Sequence, residues 1–365
     1  MAPAPGQMTS ASSQTIWCAV FGTQAEDVRL DFDPGGVVLF RRNLDPDPGA
    51  GPAQCHALVR GLQARWGREA LLAVALDQEG DTVSRLRPWT GPTPSLRTLW
   101  TRGGPAACQL WGGLWGRGLA LLGFNVDFAP VADLWDPGGT AAIADRAASA
   151  EPLEAAAAAG AFLHGLEEAG VSGCLKHYPG LGGLALDSHQ GLPERTDAAG
   201  LERHVLPFRI LTHPDRLAMV AHLRLPGTGG LPASLSRTLV ADNPWGIRAR
   251  WLPDDLEMGG CADWNWDDRV RLCLEAGHQA LLVCQTPEGV DACARAVEKA
   301  PEALWWPALE QFLAQRRRLP RDGLLRRRGL GHPAQSRQVE GAALPATRYR
   351  PPAMSRPPWS LAAPR

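Results

Sequence analysis

The chain has 365 residues, of which 45% are hydrophobic and 21% are charged, which provides apolar surface for a large core and excludes global disorder. Its formal net charge of −1 excludes a global field that would attract nucleic acid or an anionic membrane surface. A chain of this length fits one large domain plus a tail.

The N-terminal segment is polar and small-residue-rich, and we expect residues 1–14 to be flexible. It has no basic stretch followed by an apolar run, and no later segment offers about 18 uninterrupted apolar residues. We therefore expect a cytoplasmic protein. The eight cysteines form no CxxC pair and no Cys/His cluster at zinc spacing, which predicts reduced, mostly buried thiols.

Short apolar runs alternate with amphipathic or alanine-rich stretches along the chain. In order they are TIWCAVFG, GGVVLF, LLAVALDQ, NVDFAPVADL, VSGCLKHYPG, LAMVAHL, RWLPDDLEM and ALLVCQ. This rhythm predicts βα units around a parallel sheet. The alanine-rich segment from Pro152 to Gly170 is the clearest predicted helix, because it consists of strong helix formers and Glu151 lies near its start.

Polar residues follow nearly every apolar run, as they do in barrel enzymes, which carry catalytic residues on loops after many strands. LLAVAL leads into Asp77-Gln78-Glu79, GCL into Lys176-His177, MVA into His222, and RWLP into Asp254-Asp255. An open doubly wound sheet would offer a GxGxxG turn after its first strand, and none is found. The sequence therefore predicts an α/β fold, a single (β/α)8 TIM-type barrel over residues 15–312.

The C-terminal segment, residues 313–365, is rich in arginine, proline and alanine and has little apolar periodicity. Arg316-Arg317-Arg318 and Arg326-Arg327-Arg328 could form an arm for RNA or an acidic partner. In a chain whose basic residues are nearly all arginine, a solvated extension is the simpler interpretation. We predict a mobile tail and no binding to nucleic acid.

The densest polar cluster is KHYPGLGGLALDSHQGLP, from Lys176 to Pro193. Asp187 and His189 are two residues apart in its glycine-rich loop, close enough for the carboxylate to orient the imidazole of a general acid/base. A surface turn with a solvated histidine is the competing interpretation. Asp254 could act as a nucleophile on an anomeric carbon, whereas capping of a helix is the alternative role for it or for Asp255.

Nine sequence blocks, in this order, resemble the cytoplasmic β-N-acetylglucosaminidases of glycoside hydrolase family 3, which act on peptidoglycan fragments during cell-wall recycling. The resemblance extends from about Gly35 to Cys284. The blocks are GGVVLFRRN (35–43), LDQEGDTVSRL (76–86), FAPVADL (128–134), IADRAAS (143–149), KHYPG (176–180), DSH (187–189), AHL (221–223), PASLS (232–236) and DDLEM (254–258).

The resemblance implies a role for each matching position. Asp254 would be the nucleophile that forms a covalent glycosyl-aspartate intermediate, His189 the acid/base, and Asp187 the residue that orients His189. The positions that would bind the terminal sugar are Asp77, Arg85, Arg146, Lys176 and His177. The family uses no metal, and we expect no cofactor.

Three residues depart from the family pattern. Leu181 replaces the histidine of the family's GHG, Asp81 replaces the second glycine of DQEGG, and Ala148 replaces the aromatic residue of RxF. These changes affect loop packing and the leaving-group side of the site. Asp263-Trp264 resembles the Asp-Trp nucleophile pair of larger members, but it lies past the predicted strand end.

Other candidate residues are better explained by packing. Five tryptophans could stack on sugar rings, although packing against helices is the commoner role. They are Trp245, Trp264, Trp266, Trp305 and Trp306. His222 follows a predicted strand, and a hydrogen-bonded structural histidine is at least as well supported there as a ligand-binding one.

The resemblance favours a retaining exo-β-N-acetylglucosaminidase that hydrolyses small soluble glycans or muropeptides. An N-acetylglucosaminide phosphorylase or a β-glucosidase of the same family is the first alternative, and a catalytically silent sugar-binding barrel is the second. We expect a monomer that binds neither nucleic acid nor membrane.

Overall fold

The computed structural model describes residues 11–67, 71–138 and 143–316, apart from the side chains of residues 198, 199, 315 and 316. Ten strands occur in the described residues. They are β1 (Ile16–Ala19), β2 (Gly36–Val38), β3 (Ala73–Leu76), β4 (Gln78–Gly80), β5 (Val83–Ser84), β6 (Val126–Asp127), β7 (Ser172–Tyr178), β8 (Leu217–Val220), β9 (Arg250–Pro253) and β10 (Leu281–Val283).

Eight of these strands form one parallel sheet in the order β10-β1-β2-β3-β6-β7-β8-β9, and β4 and β5 form a separate antiparallel hairpin. Backbone hydrogen bonds also join the regions around β9 and β10. Gln279 N donates to Trp251 O and Leu256 N donates to Leu282 O, both over 2.9 Å. The sheet therefore curves into a barrel, as the sequence predicts, and all eight apolar runs contribute a strand to it.

The described α-helices lie between or after these strands. They are α1 (Gly51–Trp66), α2 (Arg87–Thr90), α3 (Leu96–Leu122), α4 (Pro152–Glu168), α5 (Ala198–Leu211), α6 (Trp266–Ala276), α7 (Pro287–Lys299) and α8 (Glu302–Arg316). Local sequence explains several of their ends. The side chains of Ser95, Asn265 and Thr286 accept backbone hydrogen bonds at the starts of α3, α6 and α7. A left-handed glycine, Gly277, ends α6.

The segments after β1 and after β8 depart from a regular alternation of strand and helix. Residues 20–35 and 221–249 contain no α-helix, and the second segment contains a 3-10 turn, Ala233–Leu235, and an isolated bridge between Arg224 and Pro232. The predicted helix from Pro152 to Gly170 is present as α4, ending two residues earlier. None of the helices in the described ranges has both the length and the apolar character needed to cross a bilayer.

Both ends of the predicted barrel domain differ from the structure. A 3-10 turn, Ser12–Thr15, begins inside the segment predicted to be flexible, and Ser12, Ser13 and Thr15 are buried. At the other end α8 continues to Arg316, so the predicted boundary after residue 312 falls inside a helix. The remainder of the predicted tail, residues 317–365, lies outside the described residues.

Candidate active site

Parallel strands carry the predicted site residues to one end of the barrel. Asp77 follows β3, Asp254 follows β9, and the Lys176-His177 pair lies near the end of β7. Because the C-terminal ends of the strands face the same way in a parallel barrel, these side chains converge although they are far apart in sequence.

One pocket at this end is lined by residues from four segments. They are Ile143, Arg146, His177, Leu181, Leu186, Asp187, Ser188, His189 and Asp254. Five of them were predicted as site residues, namely Arg146, His177, Asp187, His189 and Asp254. The structure therefore brings the predicted nucleophile and the predicted acid/base pair to the same pocket.

Asp187 and His189 form a hydrogen-bonded pair on the loop after β7. His189 Nδ1 lies 2.8 Å from Asp187 Oδ1, and the backbone N–H of His189 donates to the same oxygen over 2.9 Å. Partial burial would raise the pKa of Asp187, but the hydrogen bonds and charge of His189 hold this pKa below its usual value. The imidazole is largely exposed, with a relative side-chain exposure of 65%. An ionised carboxylate thus holds Nδ1 and leaves Nε2 directed away from it.

Asp254 and Asp255 have different surroundings although they are adjacent. Asp254 lines the pocket, and its Oδ1 accepts the N–H of Asp255 over 2.9 Å. The Asp255 carboxylate accepts hydrogen bonds from the N–H groups of Glu257 and Cys284 and from the side chain of Gln285. Asp255 therefore ties the loop after β9 to the end of β10, whereas Asp254 is the aspartate available to a ligand.

A chain of ion pairs lies beside the pocket and contains the other predicted sugar-binding residues. Asp77 accepts from Arg85 over 2.7 Å and from Lys176 over 2.8 Å. Lys176 also lies 2.6 Å from Glu79, which is paired with both Nε and Nη2 of Arg146 over 2.8 Å. Asp77, Arg85 and Lys176 do not line the pocket itself, but this chain connects them to Arg146, which does.

The same ion pairs fix the charges of the buried groups. Burial alone would raise the pKa of Glu79, but Arg146 and Lys176 lower it to about 2. Burial would likewise raise the pKa of Asp77, and Lys176 and Arg85 instead hold it well below its usual range. The pKa of Lys176 is raised because the two carboxylates outweigh the cost of burial. The cluster is therefore fully charged at neutral pH.

Two residues of this site, Glu79 and Asp133, were missed by the sequence analysis. Asp133 Oδ2 lies 2.7 Å from His177 Nδ1, and its Oδ1 accepts the N–H of Leu181 over 2.7 Å. Burial would raise the pKa of Asp133, but His177 and these hydrogen bonds lower it. Glu79 lies in the LDQEGDTVSRL block three residues after β3, and Asp133 lies in the FAPVADL block six residues after β6. A carboxylate in a block shortly after a barrel strand is the signal that could have identified them.

The three departures from the family pattern occupy different environments. Leu181 is nearly buried at the pocket wall, and Ala148 is buried in the core between the barrel and its helices. Asp81 has a φ of +48°, a left-handed conformation that glycine adopts without strain, and its N–H donates to Thr93. None of these changes removes a predicted site residue.

Several residues set aside by the sequence analysis are structural. His222 is buried between the Ser234 hydroxyl and the Asp255 carbonyl, at 2.7 and 2.8 Å, which confirms the structural interpretation. Asp263 is exposed and lies outside the pocket. None of the five tryptophans lines the pocket either. Trp305 is buried and Trp245, Trp264 and Trp266 pack against the cores, whereas Trp306 is exposed.

Comparisons with known proteins identify the family to which the chain is similar. The family model described as "Glycosyl hydrolase family 3 N terminal domain" matches residues 14–305. A Beta-hexosaminidase of Methylococcus capsulatus is 35% identical over 80% of this chain and 87% of its own length. One from Neisseria meningitidis serogroup C is 34% identical over 74% of this chain and 76% of its own.

A solved structure shares both the fold and part of the sequence. NagZ from Neisseria gonorrhoeae, in complex with N-trifluoroacetyl-D-glucosamine, is 27% identical with a TM-score of 0.67, covering 82% of this chain and 89% of its own. The barrel, the pocket at the C-terminal ends of its strands and the match over most of the chain lead to one conclusion. The chain belongs to glycosyl hydrolase family 3 and is a glycoside hydrolase.

Proposed function

We propose that the chain is a retaining exo-β-N-acetylglucosaminidase that releases terminal β-linked N-acetylglucosamine from peptidoglycan-derived muropeptides. The observation that carries this proposal is that Asp254 and the Asp187–His189 pair face one pocket, together with Arg146 and His177. Retention of configuration requires a nucleophile and an acid/base at the same scissile bond, and we assign these roles to Asp254 and His189.

In the first step, an Asp254 oxygen forms a bond to the anomeric carbon while the bond to the leaving oxygen breaks. His189 donates a proton from Nε2 to that oxygen, and Asp187 stabilises the imidazolium through Nδ1. In the second step, neutral His189 removes a proton from water, whose oxygen attacks the same carbon and releases Asp254. The ionised state of Asp187 supports both steps because a carboxylate favours the charged imidazole.

The ion-pair chain would hold the terminal sugar. In this proposal Asp77, Arg85, Arg146, Lys176 and His177 hydrogen-bond its hydroxyl groups. Ion pairs among these side chains and with Glu79 and Asp133 hold them in place before the substrate arrives, which lowers the entropic cost of binding.

The N-acetyl preference is supported by the relatives, which are named Beta-hexosaminidase, and by the N-acetylglucosamine-type ligand of the NagZ structure. The muropeptide substrate rests on the sequence resemblance, and a monomeric state stays an expectation from the sequence analysis. A cytoplasmic location is supported by the eight buried, unpaired cysteines, because such thiols persist in a reducing compartment.

The proposal is tested by steady-state hydrolysis of a chromogenic β-N-acetylglucosaminide and the matching β-glucoside, each with and without phosphate. The wild type is compared with His189→Ala and Asp254→Asn. We expect preference for the N-acetyl substrate, no dependence on phosphate, and losses of about 10²–10⁴-fold in His189→Ala. Loss of Asp254 should be at least as severe, because it removes the nucleophile.

Each alternative has its own outcome. Faster turnover with phosphate would indicate a phosphorylase, and preference for the glucoside would indicate a β-glucosidase. Binding of N-acetylglucosamine without turnover, across pH and at high enzyme concentration, would indicate a silent sugar-binding barrel. Hydrolysis of purified muropeptides then tests the natural substrate directly.

A further inference from the structure

A glycine pair after β9 contacts the loop that carries His189. The two glycines belong to a 3-10 turn, Gly259–Cys261, five residues after Asp254. The N–H of Gly260 donates to the carbonyl of Ser188 over 3.1 Å, and Ser188 is buried. The segment that follows the proposed nucleophile therefore directly supports the loop of the proposed acid/base.

The contact at Gly259 leaves no space for a side chain. A Cβ atom at this position would lie 2.8 Å from the carbonyl oxygen of His189 and 2.9 Å from backbone atoms of Gln190 and Gly191. These are all backbone atoms, so no side-chain rotation can relieve the overlap. The backbone of Gly259 is not left-handed, and the loop alone therefore restricts this position to glycine.

The same turn also contacts His222, a buried residue that follows β8. A Cβ atom on Gly260 would lie 2.5 Å from Cβ of His222, which is itself hydrogen-bonded to Ser234 and to the carbonyl of Asp255. Cys261, the next residue of the turn, is completely buried. The turn consequently packs against the barrel core.

The loop is the more exposed of the two contacting segments. His189 and Gln190 are both exposed, whereas Gly260 and Cys261 of the turn are buried. A side chain at residue 259 would therefore displace the loop rather than the turn. Restoring an ordinary contact from 2.8 Å requires a shift of roughly 0.5–1 Å, which is enough to misplace a catalytic group.

We propose that Gly259 and Gly260 are positioning residues, forming a platform on which the loop docks so that His189 is held at its working distance from Asp254. This inference rests on the proposed function, because it takes His189 as the acid/base. It adds that the distance from His189 to Asp254 depends on the lack of side chains at these two glycines.

The proposal predicts that a side chain at residue 259 lowers kcat/KM by an amount that depends on the leaving group of the substrate. The test variant is Gly259→Ala, and the matched control is Gly118→Ala, since a Cβ on Gly118 would meet no atom within 4 Å. His189→Ala is measured in parallel. The substrates are the phenyl β-N-acetylglucosaminide, whose leaving oxygen needs a proton, and the dinitrophenyl analogue, whose leaving group departs without one.

For Gly259→Ala we expect kcat/KM on the phenyl substrate to fall about 10- to 100-fold, while kcat/KM on the dinitrophenyl substrate stays within about twofold of the wild type. Inhibition by N-acetylglucosamine should be unchanged, because the sugar-binding groups do not touch Gly259. Azide should raise kcat on the dinitrophenyl substrate and yield the glycosyl azide, because azide attacks the glycosyl-enzyme without a general base.

Equal losses on both substrates, or weaker inhibition by the sugar, would overturn the proposal by showing a disturbed pocket rather than a displaced loop. Wild-type rates for Gly259→Ala alongside a deficient His189→Ala would also overturn it while leaving the proposed function intact. Undiminished activity of His189→Ala would instead overturn the proposed function.

A measurement on the unmodified enzyme covers the case in which Gly259→Ala fails to fold. The Gly260 amide bonds to the loop carbonyl of Ser188, so its hydrogen exchange reports docking. Slow exchange of this amide in the ligand-free enzyme is expected. Exchange at the rate of an unprotected amide would show that the loop does not rest on the turn.

Discussion

The buried carboxyl group of Asp255 makes the stability of the fold depend on pH. Its carboxyl group is almost completely buried, and burial raises its pKa to about 6 in spite of hydrogen bonds from Glu257 and Gln285. In the unfolded chain the same group ionises near its ordinary value of 3.8. Between these two values the folded state binds more protons than the unfolded state, so stability from this group falls as pH rises.

Asp255→Asn should remove this pH dependence. Relative to wild type, the free energy of unfolding of the variant is expected to rise by on the order of 2 kcal/mol between pH 4 and pH 7. Urea unfolding of both proteins at several pH values measures the difference in free energy of unfolding. The pH dependence from the titratable groups that both proteins share cancels in this difference. A difference that stays constant over this range would contradict the assignment of a raised pKa to Asp255.

Glu79 has the opposite electrostatic role. It compensates Lys176 and Arg146 in the ion-pair chain, and its pKa of about 2 means that it stabilises the fold above its unfolded pKa of 4.5 and loses this effect as pH falls toward 2. Glu79→Gln should cost roughly 3 kcal/mol at pH 7, because two nearly buried cations lose a negative partner. It should also weaken inhibition by N-acetylglucosamine.

The control for Glu79→Gln is Glu151→Gln, which changes a largely exposed carboxylate. We expect the difference in free energy of unfolding between wild type and Glu79→Gln, measured with urea, to be smaller at pH 3 than at pH 7. If the two glutamate variants unfolded alike at pH 7, the ion-pair chain would be of little importance to the fold.

For individual residues, the sequence predicted which side chains belong to the site but did not predict most of their hydrogen-bonding and ion-pair partners. The Asp187–His189 pair was predictable because the two residues are only two positions apart in one loop, and the structure places His189 Nδ1 2.8 Å from Asp187 Oδ1. The pairing of Glu79 with Arg146 crosses 67 positions of the chain, so only the closed barrel reveals it. The catalytic roles assigned to Asp254 and His189 remain predictions until the kinetic experiments are made.

Among the elements, α3 and α4 pack at unusually short range through glycines. A Cβ atom on Gly112 of α3 would lie 2.1 Å from the carbonyl oxygen of Phe162 in α4, and one on Gly165 of α4 would lie 2.3 Å from the carbonyl oxygen of Gln109. Because these contacts are between backbones, the helices cannot accommodate a methyl group without separating.

Gly112→Ala is therefore expected to destabilise the protein by about 1–3 kcal/mol through overpacking, although alanine is the better helix former. Gly118→Ala, on the same helix but in open space, should be neutral or slightly stabilising. Thermal unfolding of the two variants makes the comparison. A higher melting temperature for both would show that propensity, rather than interhelical distance, determines stability here.

The strands were more predictable than the connections between them. Each barrel strand is a short apolar run buried along its whole length, or nearly so, and such runs stand out in the sequence. The connections after β1 and β8 could not be inferred in this way. Residues 221–249 are held by side-chain contacts such as His278 to the Ser234 carbonyl, which join segments far apart in the chain.

At the scale of the whole molecule, α8, the last helix of the described residues, belongs to the barrel domain rather than to the predicted tail. Phe312 of α8 is buried against Trp17 of β1 with ring centroids 5.9 Å apart, and Trp17 in turn stacks on Phe128 at 6.3 Å. Composition alone placed the domain boundary at residue 312, because the arginine-rich sequence begins nearby. Composition cannot show that one aromatic residue just before this sequence packs against the first strand.

Phe312→Ala should therefore lower the free energy of unfolding by about 3–5 kcal/mol, since it removes a buried ring and leaves a cavity beside Trp17. Trp306→Ala, on the same helix, is the matched control because its side chain is 44% exposed and should change stability much less. Thermal and urea unfolding with tryptophan fluorescence compare the two, with far-ultraviolet circular dichroism as a probe independent of the tryptophans. Equal stability of Phe312→Ala and wild type would place α8 outside the cooperative unit. A large loss confined to Phe312→Ala would show that the first strand and the last described helix unfold together.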